Sequence, residues 1–175
     1  MTLLARVAAH LDAATIRFGV VGAAALAVHG VSRSTFDIDV LTIDPRVLET
    51  AFWEPLRSSA AIDVRRGDAA DPLAGVVRLT APLVRDVDVI VGRSAWQREV
   101  LDGTRSVQID GARVPVVDVA GLTLMKLYAG GSQDAWDIEQ LLAANDREQV
   151  VRLIDAVIDR LPDASQALWT RLKAE

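Results

Sequence analysis

The sequence predicts an α/β (α+β) fold, a mixed β-sheet with flanking helices and a helical C-terminal part. Three observations carry this. Between residues 16 and 117, several short segments rich in Val, Ile and Leu alternate with period two, the strand pattern. From residue 118 onward, apolar residues recur at helical spacing instead. No Pro-, Gly- or Ser-rich linker separates the two stretches, and 175 residues is the length of about one domain. The chain therefore reads as a single domain, 1–175, with an α/β core over 16–117 and a helical portion over 118–175.

Taken in order, Leu3, Leu4, Val7, Ala8 and Leu11 have helical spacing, and Thr2 is positioned to cap that helix. Ile16 to Val21 is β-branched and aromatic and predicts a buried strand. Gly22 opens a small-residue stretch, Ala23 to His29, that suits a tightly packed helix stopped by Gly30. Thr35 to Thr42 alternates: Phe36, Ile38 and Val40 are expected in apolar packing, with Asp37 and Asp39 on the other face. Asp44-Pro45 starts a helix running to about Arg57, by the preference for Pro at the first helical position. Ala61 to Arg65 reads as a short strand and Gly67 to Gly75 as a loop. Val76 to Thr80 and Val84 to Val91 read as strands of a hairpin around Ala81-Pro82. Ser94 to Leu101 is helical. Thr104 to Ile109 and Arg113 to Val116 form a hairpin across Asp110-Gly111, a dipeptide that favours two positive φ angles. Asp118 caps a helix reaching Tyr128, and further helices are expected over Gln133 to Ala144, Arg147 to Leu161, and Asp163 to the end.

Composition removes several classes of chemistry. There is no Cys, so disulfides, thiolate metal sites and Cys nucleophiles are excluded. Two His, His10 and His29, are too few for a multi-His metal centre. No apolar run approaches the roughly 20 residues of a membrane span, and no signal-peptide pattern opens the chain, so a cytoplasmic protein without a membrane partner is expected. The formal net charge is −5, with 17 Arg but only two Lys, Lys126 and Lys173. That balance speaks against a broad phosphate-neutralising face. A local basic patch is still available from Arg65, Arg66, Arg78, Arg85, Arg93, Arg98, Arg105 and Arg113.

Four features bear on chemistry. Asp37 and Asp39, two residues apart on a strand, share a face about 7 Å apart. Like charges on a buried strand repel unless neutralised, and hard carboxylate oxygens suit Mg²⁺; a solvated face is the plainer alternative. Gly22 ends a strand and opens a helix, where backbone N–H groups converge and phosphate binds. Asp86 and Asp88 lie on one face of a second strand, with Val87, Val89 and Val91 on the other; Arg85 is poised to pair with them at the surface. Lys126 lies within an apolar helix, where a lysine commonly snorkels to solvent or serves a phosphate. Asp134 and Asp137 share a helix face. His29 reads as a structural residue at a helix end.

The string Gly22-x-x-Ala25-Leu26-Ala27-x-His29-Gly30-x-x-Arg33-x-Thr35-x-Asp37-Ile38-Asp39 resembles the signature of the nucleotidyltransferase superfamily with the DNA polymerase β-like core. Within it, the pattern is similar to the AbiEii-type toxins and their single-domain relatives. Asp88, in Val87-Asp88-Val89-Ile90, matches the later strand aspartate. Lys126, Ala129-Gly130, Asp134 and Asp137 match a lysine-bearing helix followed by Asp-x-x-Asp, so the resemblance spans roughly residues 16 to 142. Three positions depart from the pattern. Ala23 stands where Gly or Ser is usual, and Gly131 and Gln133 stand where relatives often carry Arg and Lys.

The resemblance implies transfer of a nucleoside monophosphate from an NTP to an acceptor hydroxyl, with pyrophosphate released. Asp37, Asp39 and Asp88 would be the catalytic carboxylates and the ligands of two Mg²⁺ ions. Gly22, Ala23, Arg33, Thr35, Lys126 and Asp134 would bind the nucleotide. The acceptor would be an RNA such as tRNA, in a toxin with a cognate antitoxin, or a small hydroxylated molecule such as an antibiotic. A degenerate, non-catalytic nucleotide-binding protein is the alternative from another class, and the three carboxylates speak against it.

Overall fold

A computed structural model describes residues 1–33 and 35–174. Its centre is a mixed seven-stranded sheet in the order β3-β4-β5-β2-β1-β7-β6. Helix α1 (Leu3–Ala13) is capped by Thr2, whose hydroxyl accepts from the Ala5 N–H, and it buries the predicted stripe Leu3, Leu4, Val7, Ala8 and Leu11. Strand β1 is only Phe18–Val20, and α2 follows at Gly22–Val28. Strand β2 (Asp37–Thr42) runs antiparallel to β1. Strands β3 (Ala61–Arg66), β4 (Gly75–Thr80) and β5 (Asp86–Val91) form an antiparallel meander, and β5 lies parallel to β2.

Helix α3 (Ala95–Val100) leads to the hairpin β6 (Thr104–Ile109) and β7 (Ala112–Val117). Its turn places Asp110 and Gly111 at φ 47° and 76°, the doubly positive conformation the dipeptide predicts. Strand β7 then pairs parallel with β1 through Val20 and Val116, closing the far side of the sheet. Helix α4 (Val119–Ala129) is capped by Asp118, which accepts from the Gly121 N–H at 2.8 Å, and ends at left-handed Gly130. Helices α5 (Ser132–Ala144), α6 (Arg147–Asp155) and α7 (Asp163–Leu172) complete the chain. One apolar core runs from Leu3 on α1 through Val40, Val89 and Val116 in the sheet to Leu127, Ile138 and Trp169 on the C-terminal helices. No helix among the described residues is long and apolar enough to cross a membrane.

Several expectations are corrected. The helix expected from Asp44 to Arg57 is two 3₁₀ segments, Pro45–Leu48 and Thr50–Leu56, parted at Glu49, whose backbone is extended. Asp44 does cap the first, but Pro55 has no N–H to give an α-helical ladder, and Trp53 is held inward by donating its indole N–H to the Val47 carbonyl at 2.6 Å. The helix expected over Arg147–Leu161 stops at Asp155, and a 3₁₀ turn follows over Ile158–Arg160, because Val157 leaves helical geometry at φ −136°. The last helix ends at Leu172; its expected final residue, Glu175, lies outside the described residues. Phe36 does not join the apolar face of β2. It precedes the strand, which begins at Asp37, and is 93% exposed.

Candidate active site

The site forms where the carboxyl end of β1 meets the amino ends of β2 and β5. Because β2 and β5 are parallel and in register, Asp37 lies beside Asp86 and Asp39 beside Asp88. Alternation turns all four toward one face, while Ile38, Val40, Val87 and Val89 are buried on the other. The sequence thus builds a two-by-two array of carboxylates from two Asp-x-Asp segments almost fifty residues apart.

Each member has different surroundings. The Thr35 hydroxyl donates to the Asp37 carboxylate, and the Arg85 guanidinium donates to the Asp37 carbonyl at 2.9 Å. Arg85, expected to pair with its neighbours Asp86 and Asp88, instead reaches this carbonyl and Asp110, because its strand partner β2 brings the Asp37 backbone within range. Asp39 sits deeper. Burial, and then the charges of Asp37 and Asp88, push its carboxyl up to about 6, against the opposing pull of Lys126 and Arg78. Asp88 is almost wholly buried and is gripped at both oxygens by Arg78, from Nε at 2.8 Å and from a terminal nitrogen at 2.5 Å. Arg78 is its direct cross-strand partner on β4. The same guanidinium lies 3.9 Å from the Asp37 carboxylate.

Gly22 closes the site from the β1 side at φ +63°. A Cβ there would lie 1.9 Å from Oδ2 of Asp39, so only glycine lets the start of α2 pack on this carboxylate. A cavity of about 250 Å³ lies next to it, lined by Gly22, Asp39, Lys126 and Asp134 together with Leu122 and Met125. A second, of about 480 Å³, lies on the other side, where Asp88 and Arg78 meet Asp63, Arg65 and the loop through Asp71 and Leu73.

Lys126 does not snorkel. It is buried, and its ammonium lies 2.8 Å from Asp134 and 2.6 Å from Asp137. Asp137, fully buried, also accepts from Arg33 at 2.8 Å. Arg33 and Lys126, both expected at a triphosphate, are thereby tied to one carboxylate that bridges the segment after α2 to α4 and α5. Asp134 in addition accepts the Gly131 N–H at 3.1 Å. Gln133 adds a 3.4 Å hydrogen bond to Asp137. His29 ends α2, and its Nε2 lies 2.7 Å from the Val117 carbonyl, a structural tie between α2 and β7.

Hard carboxylate oxygens are the donor set Mg²⁺ prefers, and the Asp39 carboxyl is raised first by burial and then by the neighbouring Asp37 and Asp88 charges. The chemistry of Asp37, Asp39 and Asp88 fits such an ion. Their present arrangement is held by Arg78 instead: among the described residues, no three His, Asp or Glu side chains are set around one point to hold a metal. Sequence reasoning missed Arg78 as the partner of Asp88. The signal was the hairpin register: a turn centred on Ala81-Pro82 faces Arg78 with Arg85, whereas the longer loop, Ala81 to Arg85, moves it opposite Asp88.

No family model matches the chain, and no curated protein matches it in sequence. Solved structures do match in shape. The antibiotic-resistance factor ANT(2'')-Ia superposes with a TM-score of 0.61 at 14% identity, over 99% of this chain and 96% of that one. The same factor in complex with adenylyl-2''-tobramycin gives 0.61 at 15% identity, over 90% and 96%. This chain has the nucleotidyltransferase fold. An antigenic nucleotidyltransferase-like protein from Paracoccidioides brasiliensis shares it with a TM-score of 0.54 at 19% identity, over 95% and 90% of the two chains. The lincosamide antibiotic adenylyltransferase LnuA, in its lincomycin-bound form, shares it with a TM-score of 0.51 at 12% identity, over 81% and 96%.

Proposed function

We propose that the chain is a metal-dependent nucleotidyltransferase that moves a nucleoside monophosphate from an NTP to an acceptor hydroxyl and releases pyrophosphate. The observation that carries this is the in-register placement of Asp39 beside Asp88, under a glycine that no other residue could replace, on a nucleotidyltransferase fold. Asp37, Asp39 and Asp88 would hold divalent cations, Mg²⁺ by their chemistry. Bound there, Mg²⁺ would offset the charge of the triphosphate and sharpen the acceptor oxygen as a nucleophile. Gly22 and Ala23, in the first turn of α2, are the candidate backbone donors to phosphate oxygens. Thr35 fixes the orientation of the Asp37 carboxylate. Asp88, freed from Arg78, is the base placed to take the acceptor proton. Lys126 and Asp134 would act on the nucleotide from the wall of the cavity beside Gly22, with Lys126 the cation of greatest influence on Asp39, and Arg33 would act through Asp137, the carboxylate it shares with Lys126.

A small hydroxylated acceptor is favoured by the cavity of about 480 Å³ beside Asp88, which has the size of a small-molecule site. The solved structures of like fold include adenylyltransferases of antibiotics, which supports the same acceptor class. Within this cavity two of the three lining carboxylates are offset by arginines, Asp63 by Arg65 at 2.8 Å and Asp88 by Arg78, with Asp71 the third. An RNA acceptor, in a toxin held in check by an antitoxin, is the competing reading. It would have to use the local arginines despite the net charge of −5.

The test is incubation of purified protein with each labelled NTP and Mg²⁺, with total RNA in one arm and a panel of hydroxylated small molecules in the other. Label should move to one arm, with pyrophosphate released. Asp37→Ala should reduce transfer by three orders of magnitude or more while its circular dichroism matches the parent. The enzymatic reading is lost if neither arm takes label and no NTP binds.

A further inference from the structure

We propose that Arg78 is the built-in counter-ion of the third carboxylate, a positioning residue that sets how tightly the site takes its divalent cation. The inference rests on the nucleotidyltransferase reading above. Its basis is geometric. Arg78 and Asp88 are direct cross-strand neighbours on β4 and β5. The guanidinium meets both oxygens of Asp88 in the fork geometry that only arginine offers, at 2.8 and 2.5 Å. The two ends of the pair differ: the Asp88 side chain is 10% exposed and fixed in the sheet, whereas that of Arg78 is 51% exposed and borders the cavity of about 480 Å³. The flexible, solvated partner is the one able to leave.

The same guanidinium lies 3.9 Å from Asp37, so a single cation covers two of the three carboxylates. It already occupies both Asp88 oxygens, which would have to be released for Asp88 to hold an ion. Both cannot hold Asp88 through the same oxygens, so binding of the ion is an exchange: Asp88 gives up Arg78 and Arg78 turns into the cavity. A site built this way keeps part of its negative charge offset when empty and has its metal affinity lowered by the competition. A purely structural cross-strand pair predicts the opposite, since removing it would loosen Asp88 and weaken the ion.

Mn²⁺ binding to the nucleotide-free protein, followed by electron paramagnetic resonance of the free ion, separates the two. Arg78→Gln should bind Mn²⁺ about five-fold more tightly than the parent. Asp88→Asn should bind it more weakly, and adding Arg78→Gln to Asp88→Asn should give no gain, because the competition acts through Asp88. Unchanged or weaker binding by Arg78→Gln, or a gain that survives in the double variant, overturns the proposal. If the parent and every variant leave Mn²⁺ free at millimolar concentration, the metal-centre reading falls and this proposal with it. Should Arg78→Gln fail to fold, Arg78→Lys carries the test: it keeps the charge, loses the fork, and should shift affinity in the same direction by a smaller factor.

Discussion

At the scale of single residues, Asp39 carries a carboxyl held well above its ordinary range by burial and by two neighbouring aspartates. Its carboxyl titrates near 6 because it is buried between two other aspartates. In the unfolded chain it titrates near 3.8, so between these values the folded protein binds more protons, and stability falls as pH rises from about 4 to about 6. Above that window the full penalty is present. Asp39→Asn should therefore stabilise the metal-free protein by roughly 1–2 kcal/mol near pH 7.5, with the gain vanishing by about pH 4. Urea denaturation in EDTA at the two pH values checks this. A gain that is equal at both would show that the variant acts through packing, not charge. If the proposed metal-dependent transfer holds, activity should go the other way, because Asp39 would then be a ligand of the ion.

At the scale of elements, Asp137 joins three pieces of backbone. Its buried carboxylate accepts from Arg33 after α2 and pairs with Lys126 on α4, while its own position lies on α5. Replacing it leaves a buried ammonium without its nearest partner, and breaking such a pair costs about 3–5 kcal/mol. Asp137→Ala should lower stability by about that amount in thermal or urea unfolding, and the loss should be partly recovered by Lys126→Met in the same chain, which removes the orphaned charge. Much of this level was legible in the sequence. The caps at Thr2, Asp44 and Asp118, the Asp110-Gly111 turn and the shared face of each Asp-x-Asp pair follow from local rules that need no tertiary partner, whereas the register that sets Asp39 beside Asp88 comes from long-range strand pairing. What was not legible depends on distant contacts. The 44–57 segment reads as a helix until Pro55 and the inward Trp53 force tighter turns. Lys126 reads as a lone lysine in an apolar helix, and its pairs with Asp134 and Asp137 exist only once α5 folds back beside α4. Arg78 is one arginine among many until the length of the β4–β5 loop fixes its register. Phe36 obeys the alternation rule on paper, yet the strand starts one residue too late to enforce it.

At the scale of the whole molecule, the C-terminal helices are part of the site's support. Helix α7 packs on α4, which carries Lys126, and on α5, which carries Asp134 and Asp137. Its anchor is Trp169, fully buried and donating its indole N–H to Asp155 at 2.7 Å. Trp169→Ala should cost about 3–5 kcal/mol through the cavity it leaves, measured by denaturation. It should also weaken NTP binding by loosening α4 and α5, although no atom of Trp169 lines either cavity beside the carboxylates.

The short strand β1 has a further consequence for how the chain is made. One of its edges is taken early by β2, its near neighbour in sequence, but the other waits for β7, which leaves the ribosome only after β3 to β6 have been synthesised. Until Val116 arrives beside Val20, the nascent protein carries an open, apolar strand edge next to a half-built row of aspartates. Such an edge is a template for pairing with the wrong chain. Slow elongation through the middle of the message would lengthen that exposure, and a chaperone that covers extended apolar segments would shorten it.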